Sequence, residues 1–277
     1  MATGATHAIS GLAAWAGITA LATDHAIGQL SGQAWVVGAA LASGAALLPD
    51  IDHPSSTVAR TFGPFSQGMS KALNGLSSWA YRTTKTRKDP NRDGGHRGLT
   101  HTLLFALAAG VITTAVVQNG PPWTLPVLMF FFCGLAVRGL MNNWKPKQDA
   151  LAITITSAVL TALCSRWVLS APENAAAAGL AVIIGCVAHY IGDAVTERGC
   201  PMLWPIPIRG RTWYPVAPPK RMRIRTGSAV ELSLVLPGLT VLAVWLSAAA
   251  LQRTGVFPWL GDFDLLTPWD PLPERTR

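Results

Sequence analysis

His96-Arg97-Gly98-Leu99-Thr100-His101 sets two histidines on either side of a short glycine-containing turn, directly ahead of an apolar run. One histidine before a helix and another in its first turn can converge on a single metal ion, and Thr100 has the hydroxyl to cap that helix. Leu48-Pro49-Asp50-Ile51-Asp52-His53-Pro54 ends an earlier apolar run. Its prolines stop the helix and hold Asp50 and Asp52 on a fixed, extended turn. Acids at a helix C-terminus oppose the helix dipole, and a bound cation would compensate. His189 and Asp193 are four residues apart in a third apolar run and so share a helix face. His7 stands at the start of the first run, Glu231 at the start of the last, and Glu197 follows Asp193. Each motif alone also reads as structure: a helix start, an acidic turn, a His–Asp hydrogen bond between helices, an acid favoured near a helix N-terminus.

The elements that must position these residues are membrane helices. Half of the 277 residues are hydrophobic, 13% are charged and the mean hydropathy is +0.33, the composition of a multispanning membrane protein. Apolar runs fall at 8–23, 33–48, 99–118, 123–141, 150–169, 175–196 and 229–250, several approaching the roughly 20 residues that cross a bilayer. The expected fold is therefore all-α, a polytopic membrane helix bundle of about seven transmembrane helices, with six or eight as the neighbouring counts. Residues 1–250 form a single domain with excursions at 53–98 and 198–228, and 251–277 form a tail. Within the first excursion Phe62, Phe65, Met69, Leu73, Leu76 and Ala80 recur at helical spacing, which predicts an amphipathic helix on the membrane surface or packed on the protein. Residues 82–97, basic and rich in turn formers, are expected to be flexible as far as His96.

Most of the 22 basic residues fall in alternate connections, among them Arg82, Arg87, Arg92, Arg138, Arg198, Arg211 and Arg225. The positive-inside rule makes that side cytoplasmic, puts the N-terminus inside and the C-terminus outside, and locates the chain in the inner (cytoplasmic) membrane as a multi-pass protein. The same distribution argues against direct nucleic-acid binding despite a net charge of +8. No cleavable signal peptide is evident. Cys133, Cys164, Cys186 and Cys200 show no paired spacing and read as buried small hydrophobes. His25, in the opposite turn, is expected to stand apart from the site. Trp123, Trp144 and Trp167 lie near predicted helix ends, where interfacial tryptophans sit.

With alternating spans, the ends that carry His7, Asp50, Asp52, His96, His101, His189, Asp193 and Glu231 all lie on one face. Random placement would scatter them. The seven His/Asp donors exceed the four of a single zinc site, so either two or more ions bind or some donors support others from behind. Zinc is the first choice of divalent metal, with manganese and magnesium left open.

At these positions the sequence resembles the YdjM-like family of LexA-binding, inner-membrane metal-dependent hydrolases. The resemblance rests on His7, the Leu-Pro-Asp-Ile-Asp-His-Pro-Ser at 48–55, His-Arg-Gly-Leu-Thr-His at 96–101, His-Tyr-Ile-Gly-Asp at 189–193 with Cys-Pro-Met-Leu-Trp-Pro at 200–205, and Gly-Ser-Ala-Val-Glu at 227–231. Thr102 stands where that family leads one to expect Ser. More distantly, the series of donors is similar to that of zinc-dependent phospholipase C and related nucleases. The resemblance implies a hydrolase-like membrane protein, and the leading reading is hydrolysis of a phosphoester or phospholipid at the cytoplasmic face. Arg97 would stabilise developing charge, Glu197 would serve as ligand, base or supporting group, and Glu231 would be a site residue or a helix-start acid. The alternatives are a non-enzymatic scaffold or regulatory protein with a structural metal and a protein partner, and a metal-ion transporter. Transport is the weaker of these, because no charged series crosses to the other face.

Overall fold

The computed structural model describes the backbone of residues 2–22, 30–56, 58–141, 146–168 and 174–255, and the side chains of these except 146–149, 165–168 and 174. His25, Trp144, the side chain of Trp167 and the tail beyond 255 lie outside the described residues. The helices are α1 (Gly4–Leu21), α2 (Gly32–Ala45), α3 (Gly63–Thr84), α4 (Leu103–Asn119), α5 (Thr124–Leu140), α6 (Pro146–Val168), α7 (Asn174–Ala194) and α8 (Leu236–Arg253), the last entered through a π turn at Glu231–Val235. The described residues contain no strand beyond isolated bridges. Among the described residues, seven of the eight helices correspond to the seven apolar runs, and α3 is the eighth.

Three segments are long and apolar enough to cross a bilayer: Gly32–Asp52, Ala175–Ala194 and Glu231–Arg253. Leu103–Asn119, Thr124–Leu140 and Ala150–Cys164 are shorter apolar helices. A 17-residue helix such as α4 or α5 rises only about 25 Å, against a hydrocarbon core of about 30 Å.

Side-chain caps start α1, α2 and α4. Thr3 accepts from Thr6 N at the head of α1, and Ser31 accepts from Ala34 N at the head of α2. For α4 the cap is Thr102, which accepts from Phe105 N, rather than the expected Thr100. Residues 99–101 form a separate 3-10 turn, and this turns the Thr100 hydroxyl inward.

Small residues let α2 and α7 meet backbone to backbone. A Cβ built on Gly185 would overlap the Ala42 carbonyl oxygen, and one built on Gly44 would overlap that of Phe132, where α2 meets α5 in the same way. Such contacts replace the hydrophobic drive that helices lack within lipid. They set the end of α7 against the end of α2. α1 packs on α2, α7 and α8, while α4 packs on α7.

α3 departs from the expected pattern. Its buried side is lined by Ser66, Ser70, Ser77 and Tyr81, while Phe65 is 69% exposed and Trp79 is 64% exposed. The serines allow close approach and bond the chain beneath: Ser77 Oγ donates to Gly94 O and accepts from Leu99 N. The outward apolar side chains suit an interfacial position. Of the stretch 82–97 expected to be flexible as far as His96, residues 82–84 are the end of this helix and the rest forms turns packed against it. Tyr81 Oη donates to Pro90 O, Arg92 lies over the Tyr81 ring, and Gly94 sits at φ 75° so close to Tyr81 that a Cβ would overlap it. Asp89 then accepts from the backbone of Thr212 and Trp213, tying the first excursion to the second.

Candidate metal centre

The start of α1, the end of α2, the turn before α4 and the end of α7 meet at one end of the bundle. There His7, Asp50, Asp52, His101, His189 and Asp193 are buried and His96 is half-buried. His101 Nε2 and His189 Nε2 are 3.3 Å apart. Asp50 Oδ1 lies 3.7 Å from the first and 3.8 Å from the second. On the other side Asp193 Oδ2 lies 3.6 and 3.7 Å from the same two nitrogens. Zinc bonds of about 2.0–2.2 Å make tetrahedral donor–donor separations of roughly 3.3–3.6 Å. The donors are thus spaced as the edges of a coordination polyhedron. Three overlapping groups have this closeness: His7 with Asp50 and His189, Asp50 with His96 and His101, and His101 with His189 and Asp193.

The hydrogen bonds behind the histidines select the atom each presents. His189 Nδ1 faces the Ala46 carbonyl at 2.8 Å. A carbonyl only accepts, so Nδ1 carries the proton and Nε2 keeps its lone pair for the centre. His96 Nδ1 donates to Asp52 Oδ1 at 2.8 Å. Thr100 Oγ1 donates to Asp52 Oδ2 and accepts from His101 Nδ1 at 3.1 Å, so the same carboxylate holds His101 through one hydroxyl. Asp52 was expected as a ligand, but it belongs to none of the three groups and lies behind two histidines. Pro49–Asp52 is a 3-10 turn rather than an extended one. With three residues per turn, Asp50 and Asp52 leave on different sides and cannot both face one ion.

The described atoms suit a cation. Neither ring nitrogen of His7 nor Asp50 Oδ1 makes a hydrogen bond, although all three are buried. Orphaned buried polar atoms are costly, and donors of this type at this spacing could hold a metal ion as their partner. Three carboxylates are buried here, and among the described residues one buried guanidinium, that of Arg97, pairs with one of them, Asp193, which leaves an excess of negative charge that a divalent ion would offset. Burial disfavours a charged His101, but the carboxylates of Asp52, Asp50 and Asp193 outweigh it and lift its pKa to about 9.

Arg97 is 4% exposed and has a positive φ of 53°, a conformation non-glycine residues rarely adopt. It turns back so that Nη2 pairs with Asp193 Oδ2 at 2.9 Å and Nη1 donates to Gly199 O. It also lines a cavity of about 310 Å³ together with His96, Arg92, Arg198, Arg211 and Trp213. This basic vestibule borders the cluster through His96 and Arg97, and its distant arginines had no sequence signal beyond charge.

Two expected residues are not brought to the centre. α7 ends at Ala194, so Glu197 does not continue its face and is exposed. Glu231 is buried but fully engaged: Oε1 accepts from Thr3 N at 2.6 Å and Thr6 Oγ1 at 2.8 Å, and Oε2 accepts from Gly227 N at 2.7 Å. It pins the head of α1, and so His7, to the head of α8. Supports that sequence reasoning missed include Tyr190 Oη, which donates to Thr100 O, and Cys200 Sγ, which donates to His101 O. All four cysteines are buried free thiols.

Comparison with curated proteins and with solved structures returns no match. The profile of the YdjM inner membrane protein family matches residues 1–141 and 150–256, which take in every donor of the cluster. The chain belongs to the YdjM inner membrane protein family.

Proposed function

We propose that this protein is a membrane-embedded, metal-dependent hydrolase of phosphoesters, with its centre at the cytoplasmic end of a bundle in which α1, α2 and α4 to α8 all cross the membrane. The observation that carries the reading is the pairing of a donor set at metal-ligand spacing with a basic vestibule that opens on it through His96 and Arg97. Asp50, His101, His189, Asp193, His7 and His96 would hold the metal. A divalent ion supplies a Lewis acid and acidifies water near neutral pH; zinc is favoured by the mixed imidazole and carboxylate donors.

The chain's own groups do the rest. Arg92, Arg198 and Arg211 attract the phosphoryl anion into the vestibule, and a guanidinium matches phosphate oxygens in pairs. Arg97 is already held by Asp193, so it offers a fixed positive edge without first having to be ordered. Asp52 keeps the Nδ1 proton of His96 in place, directing the other ring nitrogen of His96 away from it. Hydrolysis joins a water oxygen to phosphorus, breaks the P–O bond to the alcohol and returns one proton to the leaving oxygen.

The test is hydrolysis of bis(p-nitrophenyl) phosphate by the purified protein in detergent. Turnover lost on chelation, restored by zinc and absent from His101→Ala supports the reading. A folded, metal-loaded protein that turns over no phosphoester would mean a structural centre instead.

A further inference from the structure

Three hollows follow one another around the C-terminal end of α7. The first is an apolar groove of about 370 Å³ between α1, α7 and α8. Thr196 lines both this groove and a small polar hollow beside Glu197 and Arg225, and Arg198 lines both that hollow and the basic vestibule. The shared residues make a continuous series of walls from the apolar groove to the arginine-lined cavity, past the helix end that carries Asp193.

The apolar end lies at membrane depth. Its α8 side is formed by Glu231, Val235, Leu239 and Leu242, one face of a span only 22% buried. From Glu231 to Leu242 the helix rises about 16 Å, about half of the ~30 Å hydrocarbon core. That is the depth one acyl chain occupies in one leaflet. The polar groups in the groove are used within the protein: Ser10 Oγ donates to His7 O, Thr6 Oγ1 to Glu231, and Thr196 Oγ1 to Asp193 O. What remains for an occupant is apolar. The groove also shares a wall with the centre, since a Cβ on Gly192 would stand 3.2 Å from His7 Cε1.

From this continuity the geometry points to an anionic membrane lipid as the substrate, its acyl chain in the α1/α7/α8 groove and its phosphoester headgroup in the Arg92/Arg198/Arg211 vestibule. The chemistry performed on it rests on the hydrolase reading above; the binding site does not.

The experiment uses the full chain in phosphatidylcholine nanodiscs doped with a phosphatidylglycerol that carries a diazirine midway along one acyl chain. Crosslinks are mapped by mass spectrometry. Enrichment at Val235, Leu239 and Leu242 over the outward residues Val241 and Val244, which are 71% and 65% exposed, is expected. Arg211→Glu should lower groove labelling about fivefold or more without moving the outward labelling. Leu239→Trp, which fills the groove, should bring it down to the outward level while metal content stays unchanged. Equal labelling of both faces, or groove labelling indifferent to Arg211→Glu and therefore that of a structural lipid, overturns the inference. Groove labelling that responds to Arg211→Glu without any phosphoester turnover keeps the lipid site and removes the hydrolase. Turnover of soluble phosphodiester with no groove labelling does the reverse.

Discussion

Replacing Asp52 by Asn keeps the shape of the side chain and removes one acceptor. In the native protein Oδ1 accepts from His96 Nδ1 and Oδ2 accepts from Thr100, which in turn holds His101. An amide has one oxygen, so its NH2 must confront either the Nδ1 proton of His96 or the hydroxyl of Thr100, donor against donor. One histidine loses its orientation, and loss of such a supporting group costs about 10- to 100-fold in metal affinity, or about 1.4–2.7 kcal/mol. Asp50→Asn removes an oxygen from the donor set itself and should lose far more. The assay is zinc titration of the purified protein against a competing chromogenic chelator, with the wild type, Asp52→Asn and Asp50→Asn side by side. The reasoning is refuted if Asp52→Asn abolishes stoichiometric binding as fully as Asp50→Asn does, because Asp52 would then be a ligand. Wild-type affinity in Asp52→Asn refutes it equally.

Other outcomes follow from the same geometry. Because the His101 pKa is raised to about 9 in the metal-free protein, metal must displace a proton there at lower pH; apparent affinity should climb up to about tenfold per pH unit from 7 towards 9 and then level off, and a pH-independent affinity would contradict this. Glu231→Ala frees Thr3 N, Thr6 Oγ1 and Gly227 N, which should cost about 1–3 kcal/mol of stability in thermal unfolding with metal stoichiometry unchanged; loss of metal with stability intact would make Glu231 a ligand. A reporter fused after Arg277 should be active only outside the cytoplasm, whereas cytoplasmic activity would exclude the seven-span arrangement.

Much of the centre was legible because ionisable side chains are so rarely placed in apolar runs. His101, His189 and Asp193 fall within such runs and His7 and Asp50 at the ends of others; each was weak alone, and only their joint placement on one face by alternation of the spans singled them out. The division of labour among them was hidden. It depends on a 3-10 turn where the prolines suggested an extended one, so Asp52 faces His96, 44 residues away, rather than the other donors. Thr102 rather than Thr100 is the cap, because a local propensity to cap cannot tell which of two neighbouring hydroxyls faces a buried carboxylate. Glu197 was counted along a helix that stops at Ala194. The buried face of α3 is made of serines, which no hydrophobic pattern marks, and the order of residues 85–98 comes from Tyr81 and from Asp89 reaching Trp213, a contact 124 residues apart.

The central claim is that these side chains hold a metal. It is tested by metal content per chain, by inductively coupled plasma mass spectrometry, in protein purified after growth with zinc, manganese and magnesium. The account predicts at least about one equivalent in the wild type and none in the His101→Ala, His189→Ala double variant that still shows the native helical circular dichroism. A wild-type protein without metal, or a double variant that retains it, would contradict the account.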